Sequence, residues 1–333
     1  MRRLLSFAAL GLAVACLHCG SAGDPTSASA DQEQKSADRD WSSAPAIIEI
    51  DDANDVYALS DVHGHYDAFL EVLSKNKLID KPEKHPEDVK WTGGKAVLIV
   101  AGDVIDKGGE SLKVIDLLRT LESSAKKSGG RVITTLGNHE VEFIVDPKND
   151  KATAKGQDQE GISRELEDAD ISPKDVAKGK DKEGRGKWMR DLPFGVRVGE
   201  WFFAHGGNTD KRSLKDLRKK LEESLDKNGF EDDDIAGNKS LLQDQKWYGD
   251  PTDKDAGEDE VEALGVKHIA FGHDPGAFGS RGKMVGSDNK KLVKLDTAMG
   301  MHEASGLGRA MLLHITPSDV EVLDEDGKSE KLF

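Results

Sequence analysis

The run KAVLIVAGDVIDKGG, residues 95–109, decides the fold. Six apolar residues in a row, closed by Gly102 and followed at once by Asp103, read as a short strand buried on both faces. The strand delivers a carboxylate at its carboxyl end, with Asp106 close behind. The same punctuation recurs in VYALSDVHGHY (56–66), which ends in Asp61 and His63, and in RVITTLGNHE (131–140), which ends in Asn138 and His139. It returns in WFFAHGG (201–207) with His205 and in HIAFGH (268–273) with His273. Between these runs lie helical patterns such as YDAFLEVLSKN (66–76) and ESLKVIDLLRTLESSAKK (110–127). Strand and helix in alternation predict an α/β layered fold.

In open α/β sheets, ligands gather outside the carboxyl ends of the strands, so the five strand ends are expected to converge. Asp61 and His63 are two residues apart, which in an extended strand places both side chains on one face. A histidine at one strand end is ordinarily a structural residue. Five strand ends in order, each closing on a metal-ligating type, are expected to form a site.

The remaining composition narrows the chemistry. The chain has 333 residues and a formal charge of −16, which argues against a nucleic-acid partner because phosphate-backbone binding needs clustered Lys and Arg. It leaves a phosphorylated substrate open, since metals and a few side chains set the field inside a site. The two cysteines, Cys16 and Cys19, both lie near the N-terminus, so a metal site in the folded region must use His, Asp, Glu or Asn.

Arg2 and Arg3 precede LLSFAALGLAVA (4–15), a run with the length of a signal-peptide core and too short to span a bilayer as a helix. Residues 1–15 are therefore expected to be a signal peptide, and the chain is expected to be exported to the bacterial cell envelope. AVAC resembles a lipoprotein processing site, which implies a lipidated Cys16 and membrane attachment; Ala13 stands where Leu is usual, so plain secretion with cleavage nearby stays open. Residues 16–45, rich in Ser, Ala, Asp and Gln, read as a flexible tether. The folded domain is then expected over 46–333, with a charged, apolar-poor, cap-like insertion at 144–190. Leu214, Leu217, Leu221 and Leu225 lie along one side of a helix, as simple packing requires.

The motifs DVHGHY, GDVIDKGG, GNHE, AHGG and FGH together resemble the signature set of calcineurin-like metallophosphoesterases. The first three are most similar to the phosphoprotein-phosphatase branch, and WMRDLPFGVRVGEWFFAHGG is similar to the Shewanella-like bacterial protein phosphatases. The resemblance spans roughly residues 55–300 and is specific at the motifs. It implies a four-layer αββα sandwich with two central mixed sheets and a helical or irregular cap. It also implies a dinuclear centre of Mn, Fe or Zn, with Asp61, His63 and Asp103 on one ion and Asp103, Asn138, His205 and His273 on the other. Two divalent ions bring four positive charges and the carboxylates of Asp61 and Asp103 remove two, leaving a field suited to a phosphate dianion. Paired ions about 3.5–4 Å apart clamp a phosphoryl group and activate a shared water, which implies direct attack by a bridging hydroxide.

By the same resemblance, His139 protonates the leaving group and Asp106 orients its imidazole. Phosphate is expected to be gripped by Asn138, by Lys107, which stands where the family has Arg, and by Arg190. The implied substrate is a phosphorylated protein (Ser/Thr or Tyr) or a small phosphate ester. Two alternatives remain at this stage: a nucleotide or phosphodiester hydrolase of the diadenosine tetraphosphatase type, and a catalytically weakened lipoprotein that binds phosphorylated ligands.

Overall fold

The computed structural model describes residues 39–156, 159–300 and 308–333. The expected signal peptide and Cys16 lie outside the described residues. Among those described, no helix is long and apolar enough to cross a membrane.

Two six-stranded mixed sheets form the centre. One has the strand order β1 (Ile47–Ile50), β5 (Gly195–Val198), β6 (Trp201–Ala204), β7 (His268–Phe271), β9 (Leu292–Lys294), β8 (Val285–Gly286). The other runs β12 (Ser329–Lys331), β11 (Val320–Asp324), β10 (Met311–Ile315), β2 (Val56–Leu59), β3 (Val97–Val100), β4 (Arg131–Thr134). Strands β2, β3 and β4 are mutually parallel, as are β6 and β7, so the strands named above as carriers of site residues run together in each sheet.

Strand alternation explains the four layers. Val97 and Ile99 of β3 join Trp201 and Phe203 of β6 in the core between the sheets. Leu98 and Val100, with Phe202 and Ala204, face outward into a second core. That core is shared with α1 (Tyr66–Lys75), α2 (Ser111–Lys127), α7 (Leu214–Asn228), the short α8 (Asp233–Ala236) and α9 (Glu258–Leu264). A strand buried on both faces needs the unbroken apolar runs that the sequence supplies. Leu217, Leu221 and Leu225 are buried by α7, and Leu214 packs against the same core.

Residues 39–45, read above as the end of a tether, are instead held in place. Arg39 donates to the carbonyls of Ala44, Pro45, Arg190, Asp191 and Leu192, and its guanidinium lies 4.6 Å from the Trp41 ring centre. A chain that satisfies five backbone carbonyls with one side chain has left the tether regime.

The charged insertion is laid along α2. After α3 (Asn138–Val145), it forms turns and then α4 (Ile162–Asp168), α5 (Pro173–Ala177) and α6 (Arg185–Arg190). Glu165 of α4 accepts the free backbone N–H groups of Ser111 and Leu112 at the start of α2, at 3.0 and 3.2 Å. Arg185 grips Asp116 with two bonds of 2.9 and 2.7 Å. Trp188 donates its indole N–H to both oxygens of Glu122, at 3.1 and 3.0 Å. The charges of this apolar-poor insertion thus serve as fasteners.

Burial pushes the Glu122 carboxyl up to about 7, against the pull of Trp188 and Arg119. The folded protein therefore keeps a proton that the unfolded chain, with an ordinary value of 4.5, releases. Stability is expected to be full below the unfolded value and to fall as pH rises through about 7. Glu122→Gln keeps an acceptor for Trp188 and removes this loss. Chemical denaturation at pH 8 is expected to show a gain on the order of 1 kcal/mol over the parent, vanishing at pH 4.

Candidate metal centre

Carboxyl ends of β2, β3, β4, β6 and β7 deliver Asp61, His63, Asp103, Asp106, Asn138, His139, His205 and His273 into one cluster. Asp103 sits in the middle. Its Oδ1 is 3.3 Å from His205 Nε2, and its Oδ2 is 3.5 Å from His63 Nε2 and 3.8 Å from His139 Nε2. Asp61 Oδ1 is 3.7 Å from His63 Nε2, and Asn138 Oδ1 is 3.0 Å from His205 Nε2. Two triads of ligand atoms, His63–Asp103–His139 and Asp103–His205–His273, each close to within 4.8 Å and share Asp103.

The backbone holds these side chains under strain. Asp61, His63, Asp103, Asp106, Lys107 and His273 all have φ between 48° and 69°, a region that costs a non-glycine residue on the order of 1 kcal/mol. Asp61 and His63 therefore do not share a face through strand alternation, as their spacing had predicted. β2 ends at Leu59, and both residues lie in the following loop, which is paired to the loop after β3 through Asp61 N–Gly102 O and His63 N–Asp103 O at 3.1 and 2.9 Å. Neighbouring backbone must also come close. A Cβ on Gly137 would stand 2.2 Å from Asp103 Oδ1, and one on Gly272 would stand 2.3 Å from Asp61 Oδ2. Only glycine leaves room for the carboxylates there.

Hydrogen bonds fix which ring nitrogen faces the cluster. His63 and His205 donate from Nδ1 to the carbonyls of Ile105 and Ala101, both at 2.9 Å, which aims Nε2 inward. His273 donates from Nε2 to the Gln243 carbonyl at 3.0 Å, leaving Nδ1 as its inward atom. His139 bonds Asp106 Oδ2 through Nδ1 at 2.7 Å, so its Nε2 points to the centre. The other oxygen of Asp106 accepts the backbone N–H of Ile162 at 2.9 Å, which couples the cap to the same residue.

The charge balance fits a cation site. Burial disfavours charge on His205, yet the carboxylates of Asp103 and Asp61 outweigh it and raise the imidazole to about 10. Burial, then the neighbouring Lys107 and His139, hold His63 well below its ordinary value. Burial and His205 push His273 down to about 4. Burial, with repulsion from Asp103, raises Asp61. Lys107 Nζ donates to the inward Nε2 of His63 at 2.6 Å. A proton on His205 and the ammonium of Lys107 are thus the counter-charges drawn to ligand atoms, where divalent ions would serve better. Asp61, His63, Asp103, Asn138, His205 and His273 have the hard oxygen and imidazole donors that Mn, Fe or Zn accept.

Arg190 is the exception among the residues singled out in the sequence. It ends α6, donates to the Ala177 carbonyl at 3.1 Å and lies over the Phe230 ring at 5.0 Å, and it does not line the cavity above the cluster. The guanidinium is held by the Ala177 carbonyl and the Phe230 ring, away from the lining of the cavity where a phosphate contact was expected.

Sequence reading missed three contributors. Glu140, fully buried, accepts from the backbone N–H groups of Gly137, Asp103, Val104 and Ile105 at 2.7–3.3 Å, clamping the loop that carries Asp103. Its place three residues after Gly137 at a helix start is a capping signal that was available. Lys294, the last residue of β9, and Asp296, two residues on, are both buried beside Asp61; burial and Asp61 raise Asp296 well above the carboxylate range.

A family model described as calcineurin-like phosphoesterase matches residues 55–277. Shewanella-like protein phosphatase 2 of Arabidopsis thaliana is 37% identical over 84 residues, 25% of this chain and 20% of that protein. A symmetrical bis(5'-nucleosyl)-tetraphosphatase of Buchnera aphidicola is 34% identical over 88 residues, 26% of this chain and 25% of that protein. The matched stretch thus spans about a quarter of these relatives or less. A cold-active protein-tyrosine phosphatase of a psychrophilic Shewanella species has a similar fold, with a TM-score of 0.66 at 20% identity over 87% of this chain and 82% of that one.

Proposed function

The chain belongs to the calcineurin-like phosphoesterase family, and on that premise we propose that it is a phosphatase of phosphomonoesters, including phosphoproteins, working with two metal ions. The observation that carries the reading is the pair of ligand triads sharing the Asp103 carboxylate. Asp61, His63 and Asp103 would hold one ion, and Asp103, Asn138, His205 and His273 the other. When bound, the ions would polarise the phosphoryl group and lower the pKa of water toward neutrality. His139 Nε2, held by Asp106, is the donor for the departing oxygen, and Lys107 is free to turn from His63 to the phosphoryl group once a metal takes that nitrogen. The leader further supports export to the cell envelope, with Cys16 as the attachment point; the mass of the mature N-terminus tests this.

The cavity over the cluster, about 290 Å³, is lined by Asp103, Asp106, Lys107, Asn138, His139, Lys151, Gln159, Gln245 and His273. Among the described residues it offers carboxylates, amides, imidazoles and ammonium groups, and no Phe, Tyr or Trp on which a nucleobase would stack. This favours a monoester over a dinucleoside polyphosphate. With metal restored, turnover of p-nitrophenyl phosphate is expected to exceed that of bis(p-nitrophenyl) phosphate and of diadenosine tetraphosphate by at least about tenfold, a difference of 1.4 kcal/mol in barrier. The reverse order would assign the tetraphosphatase-type reading. Inertness toward all three would leave binding as the function.

A further inference from the structure

The two sides of the cavity carry cations of different origin. Lys107 comes from the loop after β3, and Lys151 comes from the turns of the cap; among the described lining residues they are the only Lys or Arg. Lys151 Nζ donates to Glu142 Oε1 at 2.8 Å, and its side chain is 40% exposed. One ammonium proton is thereby engaged and two remain. The same Glu142 oxygen accepts from Asn138 Nδ2 and from Gln243 Nε2, both at 3.0 Å. Turning the Asn138 amide this way presents its Oδ1 to His205, while Gln243 offers its carbonyl to His273. Glu142 therefore joins a cavity cation to the supports of the ligands around Asn138.

The position of Lys151 is fixed from below. Its backbone N–H bonds Asn149 Oδ1 at 2.9 Å, and the Ala152 carbonyl accepts from Ser163 N at 2.8 Å. Ala152 is fully buried, and Gly161 passes so close that a Cβ there would stand 2.2 Å from the Ala152 carbonyl oxygen. Among the described lining residues, Lys151 is the one ammonium on the Asn138 side of the cavity.

We infer that Lys151 contacts the phosphoryl group and that Glu142 is its positioning residue, holding the ammonium beside Asn138. The inference rests on the phosphomonoester reading, and its ligand is a phosphoryl dianion, free or esterified.

The test is calorimetric binding of inorganic phosphate to the full chain loaded with Mn²⁺, alongside KM for p-nitrophenyl phosphate and for a phosphotyrosyl peptide. Lys151→Met is expected to weaken phosphate binding about tenfold and to raise both KM values similarly, with metal content unchanged; Lys151→Arg is expected to recover most of the loss. Glu142→Ala is expected to show the same weakening together with a 10–100-fold loss of affinity for one metal ion. Phosphate binding by Lys151→Met within twofold of the parent overturns the inference. So does a rise in KM confined to the peptide, or metal lost with Lys151. A parent that binds phosphate but turns over no ester defeats the phosphatase reading and leaves the Lys151 contact standing, so the two failures are distinct.

Discussion

Asp103→Asn is expected to lower turnover of p-nitrophenyl phosphate by more than about 10³-fold, equivalent to roughly 4 kcal/mol of barrier, and to drop metal content from two ions per chain to one or none. The reason is position. Asp103 is the shared member of both ligand triads, with one oxygen toward His205 and the other between His63 and His139. Asparagine keeps the shape and can still accept the His139 backbone N–H that now bonds Asp103 Oδ1 at 3.0 Å. It gives up the charge and one of the two bridging acceptors.

Folding supplies the control. The loop carrying Asp103 is clamped by Glu140 through backbone N–H groups that the substitution does not touch. Metal-free parent and variant are therefore expected to melt within a few degrees of one another. Adding Mn²⁺ at a hundred times its dissociation constant is expected to stabilise the parent by about 2.7 kcal/mol and the variant far less. Lost activity with both ions retained would remove Asp103 from the bridging position.

How much of this site was legible depends on the range of the interaction that makes it. The strand ends were readable because each combines an apolar run, a glycine and a ligand within a few neighbouring residues, as LIVAGD does at 98–103. The α/β layering was readable from runs such as Val97–Val100, in which no position is polar, set between helical patterns, while the number of layers came from the family resemblance of the motifs. The local geometry of Asp61 and His63 was not readable, because a non-glycine residue with positive φ leaves no mark in composition. The fastening of the cap to the domain was not readable for a different reason. Glu165 with Ser111, Arg185 with Asp116 and Trp188 with Glu122 are pairs 54, 69 and 66 residues apart. A charge in sequence looks the same whether it meets water or a partner. Arg190 shows the converse, since its residue type suited phosphate while the Ala177 carbonyl and the Phe230 ring had already taken its guanidinium.

His139→Ala is expected to separate leaving-group chemistry from metal binding. His139 Nε2 lies 3.8 Å from Asp103 Oδ2, near enough to be counted in a ligand triad, while its Nδ1 holds Asp106 at 2.7 Å. The two roles predict different outcomes. As a general acid, its loss is expected to cost about 10²–10⁴ in kcat with both ions kept. The cost should then grow with the basicity of the departing oxygen, so phenyl phosphate and a phosphoseryl peptide suffer more than p-nitrophenyl phosphate, whose leaving group needs little help from a proton. As a ligand, its loss would lower metal content and slow all esters alike. Asp106→Asn adds a second arm, because Asp106 meets the reaction only through His139 and also holds the Ile162 amide of the cap at 2.9 Å. An asparagine can keep one of those bonds in its proper sense, so a smaller loss with the same leaving-group trend is expected. A flat trend in both variants would remove the proton donor from the mechanism and leave His139 as a support for Asp103.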